Sequence, residues 1–174
     1  MAWREKGSVT LLLPTDIDQI LEDYGHLLKV YPALRERHSI FTDYKRTHKR
    51  LEVLFPLKEH PVHGITGLHV YEKYNDAGTV ELYSYSWKRI IPTQGIQFSH
   101  ISSWGNDPHP PETTPQHLQV TTEPHHHHYD PEQRSKRKSS YIRSLDQVFM
   151  YVAYYIETGE VYYKDVSSAV DLKR

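Results

Sequence analysis

The chain has 174 residues, 37% apolar and 25% charged, with a formal net charge of −1 and no cysteine. This composition is typical of a soluble globular protein with a real core. It excludes a disulfide framework, a thiolate nucleophile and cysteine-ligated zinc, and it gives no global field that attracts nucleic acid. No apolar stretch approaches the roughly 18 residues that a membrane helix needs, and no signal peptide is evident, so we expect a cytoplasmic protein with no membrane partner.

The first predicted element is an amphipathic helix over residues 15–31, with Thr15 as its N-cap and Pro32 as its stop. The pattern then changes to the alternation typical of strands. The runs are HSIFTDYKR, RLEVLFPL, GLHVYEKY, TVELYSYSWKRII and IQFSHISSW. The turn NDAG at residues 75–78 predicts a hairpin of residues 68–74 with 79–91, followed by a third strand over 95–104.

A second helix is predicted near the C-terminus, with Ser144 as its N-cap, Gln147 at the capping-box position and Gly159 as its end. A short strand is expected at Val161–Lys164. The sequence therefore predicts an α+β fold, with an antiparallel sheet of about five strands and both helices packed on one face. We expect a single domain, 1–174, divided into a helical segment (1–35), the sheet (36–104), a His/Pro-rich and basic loop (105–140), and the C-terminal helix and tail (141–174).

Histidine is the unusual residue, with thirteen in the chain. Several lie on or after the third strand of the meander, namely His100, His109, His117 and the run His125–His128. Imidazole titrates near neutrality, so a cluster of these rings could transfer protons, contact phosphate or bind a metal, or could be merely structural. If the run is extended, His125 and His127 share one side and His126 and His128 the other. The spacing matches no recognised ligand motif, so no metal or cofactor is predicted.

Two basic segments could contact nucleic acid or simply be solvated. The first is RSKRK at residues 134–138, flanked by Tyr129 and Tyr141, and the second is YKRTHKR at 44–50. The chain has no Walker loop, no G-x-G-x-x-G and no G-x-S-x-G, which argues against nucleotide hydrolysis and dinucleotide chemistry.

Two motifs carry a resemblance to a known family. WGNDPHPP at residues 104–111 and PHHHH at 124–128 follow a β-meander and precede a helix. This order resembles the TumE-like toxins of bacterial toxin–antitoxin systems, with matches at Asn106, Pro108, His109, Pro111, Pro124, His125, His126 and His128. The chain departs from the pattern at Gly105, where an acidic residue is expected and Asp107 could replace it, and at Pro110 and His127.

The resemblance implies a small toxin-like protein with a cognate antitoxin as partner and RNA as a plausible target; it does not specify an oligomeric state. A metal-independent ribonuclease needs a base, an acid and cations for the phosphorane charge. The predicted catalytic residues are His109, His126 and His128. The predicted substrate-binding residues are Trp104, Asn106, His125, Arg134, Arg137 and Lys138. A non-catalytic binding module and a metal-dependent hydrolase that uses the histidine cluster are the alternatives.

Overall fold

The computed structural model describes residues 11–35 and 45–163. Within these ranges the chain forms three helices and one antiparallel sheet of seven strands, whose spatial order is their order in the sequence. The strands are β1 (Lys45–Arg46), β2 (Arg50–Pro56), β3 (Thr66–Tyr74), β4 (Val80–Ile91), β5 (Gly95–Gly105), β6 (His126–His128) and β7 (Lys138–Ser139). The helices are α1 (Ile17–Tyr24), α2 (Pro32–Arg35) and α3 (Leu145–Thr158).

The N-terminal helix is shorter than the sequence predicts. Asp16, not Thr15, is its N-cap, and the Asp16 carboxylate accepts from the Gln19 N–H at 3.1 Å. Thr15 instead donates its hydroxyl and its backbone N–H to the buried carboxylate of Glu72. The helix ends because Gly25 opens a 3₁₀ turn, after which Leu28 forms a β-bridge with Leu57. Pro32, predicted as the stop, begins α2.

The predicted meander is confirmed. Strands β2 to β5 begin and end within one residue of the predicted runs. The hairpin turn places Gly78 at φ 78°, a left-handed conformation that favours glycine. Of the first predicted strand, only Lys45–Arg46 forms β1, and the remainder lies outside the described residues.

The strand count of five is wrong, because the segment predicted as a loop contributes β6 and β7 to the described sheet. The His126–His128 strand pairs with the last residues of β5, and β7 pairs with β6. The pairings span only three and two residues among prolines and charges, so alternation over a longer run could not reveal them. Val161–Tyr163 forms no strand, and Lys164 lies outside the described residues.

Both long helices pack on the same face of the sheet, as predicted. Phe149 of α3 packs edge-on against Phe55, with ring centroids 5.2 Å apart, and stacks on Tyr24 of α1 at 4.9 Å. The caps of α3 are confirmed: Ser144 accepts from the Gln147 N–H, and Gly159 ends the helix at φ 73°. We call the face of the sheet on which α1 and α3 pack the core face.

The opposite surface of the sheet is covered differently. Leu34 of α2 packs at one end against Leu54 and Ile90. Between β3 and β6 the remainder carries polar side chains, and we call it the polar face. None of the helices in the described segments has the length and apolarity needed to span a bilayer.

Candidate functional site

The centre of the polar face is a cleft with a floor of small side chains. Ser86 and Ser103 are partners in the β4–β5 register, and their hydroxyl oxygens lie 2.7 Å apart. Ser84 is paired with Gly105 two residues along the same strands, on the same face. Because these residues are small, the sheet leaves a cleft of about 380 Å³ above them.

The histidine run forms one wall of this cleft. In β6 the side chains alternate, so His126 and His128 face the cleft and their rings lie 4.9 Å apart. His127 points to the core face, where it stacks on Trp104 at 4.6 Å. His125 lies on that side as well, with Nδ1 2.9 Å from the Tyr83 hydroxyl. The predicted alternation of the run is therefore confirmed.

The two cleft histidines are both oriented by backbone carbonyls. The Nδ1–H of His126 donates to the Pro124 carbonyl at 2.8 Å, and the Nδ1–H of His128 donates to the Lys136 carbonyl at 3.2 Å. A carbonyl can only accept, so the proton must sit on Nδ1 of each ring. In the neutral form of His128, Nε2 is then left as an acceptor.

His109 joins the cluster through Asp107. One carboxylate oxygen of Asp107 lies 3.2 Å from His126 Nε2, and the other lies 3.3 Å from His109 Nε2. The His109 and His126 rings pack edge to face at 4.9 Å. The loop that follows β5 thus returns His109 to β6, and the two separated motifs of the sequence meet in space.

Two cations complete the cleft. Lys88 of β4 is paired in register with His100 of β5, and Arg134 enters from the segment that connects β6 to β7. That segment is fixed by the buried Asp130, whose carboxylate accepts from the Glu132 N–H at 2.9 Å. The Arg134 guanidinium lies over the Phe98 ring at 3.9 Å, a cation–π contact.

Burial and neighbouring charges shift the pKa values of three ionisable groups of the cleft. Burial, reinforced by neighbouring His126, lowers the pKa of His128 to about 4, and burial together with His128 lowers the pKa of His100 to about 4. The hydrogen bond from His126 holds the pKa of Asp107 at about 2. At neutral pH the cleft therefore combines a neutral His128 with an ionised Asp107.

The predicted substrate-binding residues divide between the cleft and the rest of the fold. Arg134 borders the cleft. Trp104 and His125 direct their rings to the core face. Asn106 connects the ends of two strands, since its side chain accepts from the Tyr83 N–H and donates to the Glu81 carbonyl. A role for these three side chains in binding stays a prediction.

The other two predicted basic residues are engaged elsewhere. Arg137 donates through Nε to the Leu118 carbonyl at 2.8 Å, which ties down the loop between β5 and β6. Lys138 is the register partner of His127, and its ammonium lies 5.7 Å from the centre of the Tyr129 ring. The structure does not bring either cation to the cleft described above.

Sequence reasoning did not select Lys88 and the serines of the floor, and it gave Asp107 no role beyond filling a motif position. A register of β4 against β5 would have found them, because Lys88, Ser86 and Ser84 alternate on the strand face opposite Trp87, Tyr85 and Tyr83.

The same cluster could hold a divalent metal ion. The carboxylate of Asp107 and one ring nitrogen each of His109 and His126 lie within 4.8 Å of one another. Two imidazoles and one carboxylate form a donor set that suits zinc and other first-row metals. The carbonyl that holds His126 by Nδ1 is the kind of outer contact that orients a ligating histidine.

Comparison with known proteins gives one result. The sequence model of a family described as "Toxin TumE" matches residues 26–156, about three-quarters of the chain. The match includes the whole sheet, both histidine motifs and nearly all of α3. No curated protein and no solved structure matches the chain.

Proposed function

Because the chain belongs to the TumE toxin family, we propose that it is the toxin of a toxin–antitoxin pair and that it cleaves RNA at the cleft of the polar face. The observation that carries this proposal is the pair of cleft imidazoles, His126 and His128, beside Lys88 and Arg134. Two proton-transfer groups and two cations around one cavity are the parts that metal-independent RNA cleavage requires.

The reaction is a transesterification within the RNA chain. His128 acts as the base: its Nε2 accepts the proton of the ribose 2′-OH, whose oxygen attacks the adjacent phosphorus. The P–O5′ bond breaks, and a 2′,3′-cyclic phosphate forms. A neutral His128 is ready to accept this proton, since burial keeps its pKa low, at about 4.

His126 is the complementary acid. A proton on its Nε2, added to the one on Nδ1, makes the ring an imidazolium, and the Asp107 carboxylate at 3.2 Å stabilises that charge. This proton goes to the departing 5′-oxygen. Lys88 and Arg134 offset the extra negative charge on the phosphorane. His109 holds the second oxygen of Asp107 and therefore acts as a positioning residue, although the sequence had suggested direct proton transfer.

The test is cleavage of a labelled single-stranded RNA in the presence of EDTA. We expect the wild-type protein to cleave the RNA. His126→Gln should cleave it at least about a hundredfold more slowly, which is the size of a general acid–base contribution. The control is His117→Gln, because His117 is an exposed histidine of the same loop region. Intact RNA with micromolar wild-type protein in EDTA would overturn metal-independent cleavage, and RNA that stays intact with added zinc or manganese as well would favour a non-catalytic module. Equal rates for the two variants would overturn the assignment of His126 as the acid.

The antitoxin partner is tested separately. We expect expression of the chain alone to arrest bacterial growth, and co-expression with the product of the adjacent gene to restore it. The two proteins should co-purify. Growth that is unaffected by the chain alone would argue against toxin function even if RNA cleavage is measured in the test tube.

A metal-dependent hydrolase is the second candidate, and the donor set of Asp107, His109 and His126 favours it. It predicts that cleavage stops in EDTA and returns with zinc or manganese. It also predicts that Asp107→Asn abolishes metal binding in a titration of the protein without RNA. Cleavage that continues in EDTA, together with no metal bound by protein purified without a nickel column, would remove this candidate.

A further inference from the structure

A second basic surface lies at the end of the sheet where β2 begins and β3 ends. A shallow depression of about 740 Å³ there is lined by His48, Lys49, Arg50, Tyr71 and Lys73, and also by the carboxylates of Asp76 and Glu81. Lys49, Arg50 and Lys73 are exposed. We call this group the hairpin surface. His48, Lys49 and Arg50 belong to the second basic segment of the sequence.

The hairpin surface and the cleft occupy neighbouring parts of one sheet. Tyr71 is the register partner of Ser84, so the two side chains lie on the same face of adjacent strands. Tyr71 borders the depression, and Ser84 borders the cleft. From β6 to β3 there are three strand spacings, which amount to about 14 Å. The floor between them is made of the small serines.

Pairs of cations lie both at the hairpin surface and at the cleft. Arg50 and Lys73 lie directly opposite each other in the register of β2 and β3. Like charges in this arrangement destabilise a sheet by repulsion, and Glu81, 3.1 Å from Lys73, offsets part of that repulsion. At the other end, Lys88 and Arg134 border the same cavity. An extended anion that reaches both places would relieve the repulsion between Arg50 and Lys73 and the repulsion between Lys88 and Arg134.

We propose that single-stranded RNA crosses the polar face from the cleft to the hairpin surface, where its backbone phosphates contact Lys49, Arg50 and Lys73 and a base stacks on Tyr71. The proposal rests on the proposed function and adds a subsite and a class of substrate to it. A single strand is required because its bases are free to stack on an aromatic ring, whereas those of a duplex are paired. The cleft, at about 380 Å³, is also the size of a small-ligand site, too small for a duplex.

The test measures binding alone, using the full chain and a fluorescent 12-nucleotide 2′-O-methyl RNA, which lacks the nucleophile for cleavage. We compare the wild type with the double variant Arg50→Ala and Lys73→Ala. The matched control is Lys29→Ala with Lys58→Ala, which removes the same charge at the other end of β2. All four side chains are exposed, so both variants should fold, and thermal melting checks this.

We expect the hairpin variant to bind about tenfold more weakly and its salt dependence to be shallower by about 1.4, because each phosphate contact on a single strand contributes about 0.7 to the slope. The control should bind like the wild type, and a duplex of the same sequence should bind less well than the single strand. Wild-type binding that both variants retain equally, or a preference for the duplex, would overturn this proposal alone. No binding by the wild type at micromolar concentration would instead overturn the proposed function.

Discussion

The four consecutive histidines form two pairs in contrasting surroundings. His125 and His127 belong to the core face, where His127 is 0% exposed and hydrogen-bonds to Ser102. His126 and His128 belong to the polar face, beside Asp107 and the two cations. One residue type in one short stretch therefore has two uses, and the alternation of a strand is what assigns them. Composition and spacing could identify the stretch, but only strand pairing determines which ring does what.

The largest expected effect contrasts His128 with His125. We expect His128→Ala to lower RNA cleavage by about 10² to 10⁴, the usual loss when a general base is removed. We expect His125→Ala to change it less than about threefold, since that ring lies away from the cleft and contacts Tyr83. Initial rates with a labelled RNA measure both. Equal losses would mean that the two faces are not functionally distinct.

The next effect is on stability, where a core-face histidine should matter more than a cleft histidine. We expect His127→Ala to lower the free energy of unfolding by about 3 kcal/mol, because it removes a fully buried ring stacked on Trp104 and leaves a cavity. His128→Ala should cost less, since its ring borders an open cleft. Urea denaturation measures both values. A larger cost for His128 would contradict the assignment of His127 to the core.

The structure also shows what could be predicted from the sequence. Alternation and turn chemistry were sufficient for β2 to β5, and cap residues were sufficient for α3. These signals are local and extend over many residues. The pairing of β6 with β5 spans three residues and depends on a contact between segments more than twenty positions apart, so no local pattern encodes it.

The site was predictable to the same extent as the contacts that build it. The two histidine motifs were found because their residue types are unusual, and the structure brings His109 and His126 together through Asp107. The basic run was read as one patch, yet only Arg134 borders the cleft, while Arg137 and Lys138 serve the loop and the core-face edge. Lys88 was missed because it lies among the aromatic residues of β4.

Acid should destabilise the fold in part through the two core-face histidines, His125 and His127. Burial lowers the pKa of His127 well below its usual value and the pKa of His125 to about 4, so the unfolded chain binds protons that the folded chain does not. Stability is then complete above pH 6.5 and is lost as the pH falls toward 4. Each such proton contributes about 1.4 kcal/mol per pH unit.

The variant that isolates this effect is His127→Phe, which keeps a ring on Trp104 but cannot titrate. We expect its urea midpoint to fall less steeply than that of the wild type between pH 6.5 and pH 4.5, whatever its stability at pH 7.5. The control is His117→Phe, at an exposed position, which should follow the wild-type curve. Parallel curves for His127→Phe and the wild type would assign the acid sensitivity to other groups.

The smallest effect concerns the contact that holds the other core-face histidine. Tyr83 carries a hydroxyl that lies 2.9 Å from His125 Nδ1 and donates to the Ile142 carbonyl at 3.1 Å. One hydroxyl proton can serve only one acceptor at a time. If it goes to Ile142, His125 must donate from Nδ1, and the Tyr83 oxygen accepts.

Tyr83→Phe should therefore cost about 1 kcal/mol of unfolding free energy, the net worth of a buried hydrogen bond, and leave RNA cleavage unchanged. A loss of cleavage with unchanged stability would instead assign His125 to the catalytic cleft with His126 and His128. A ring released from Tyr83 could affect the reaction only if it were part of that site.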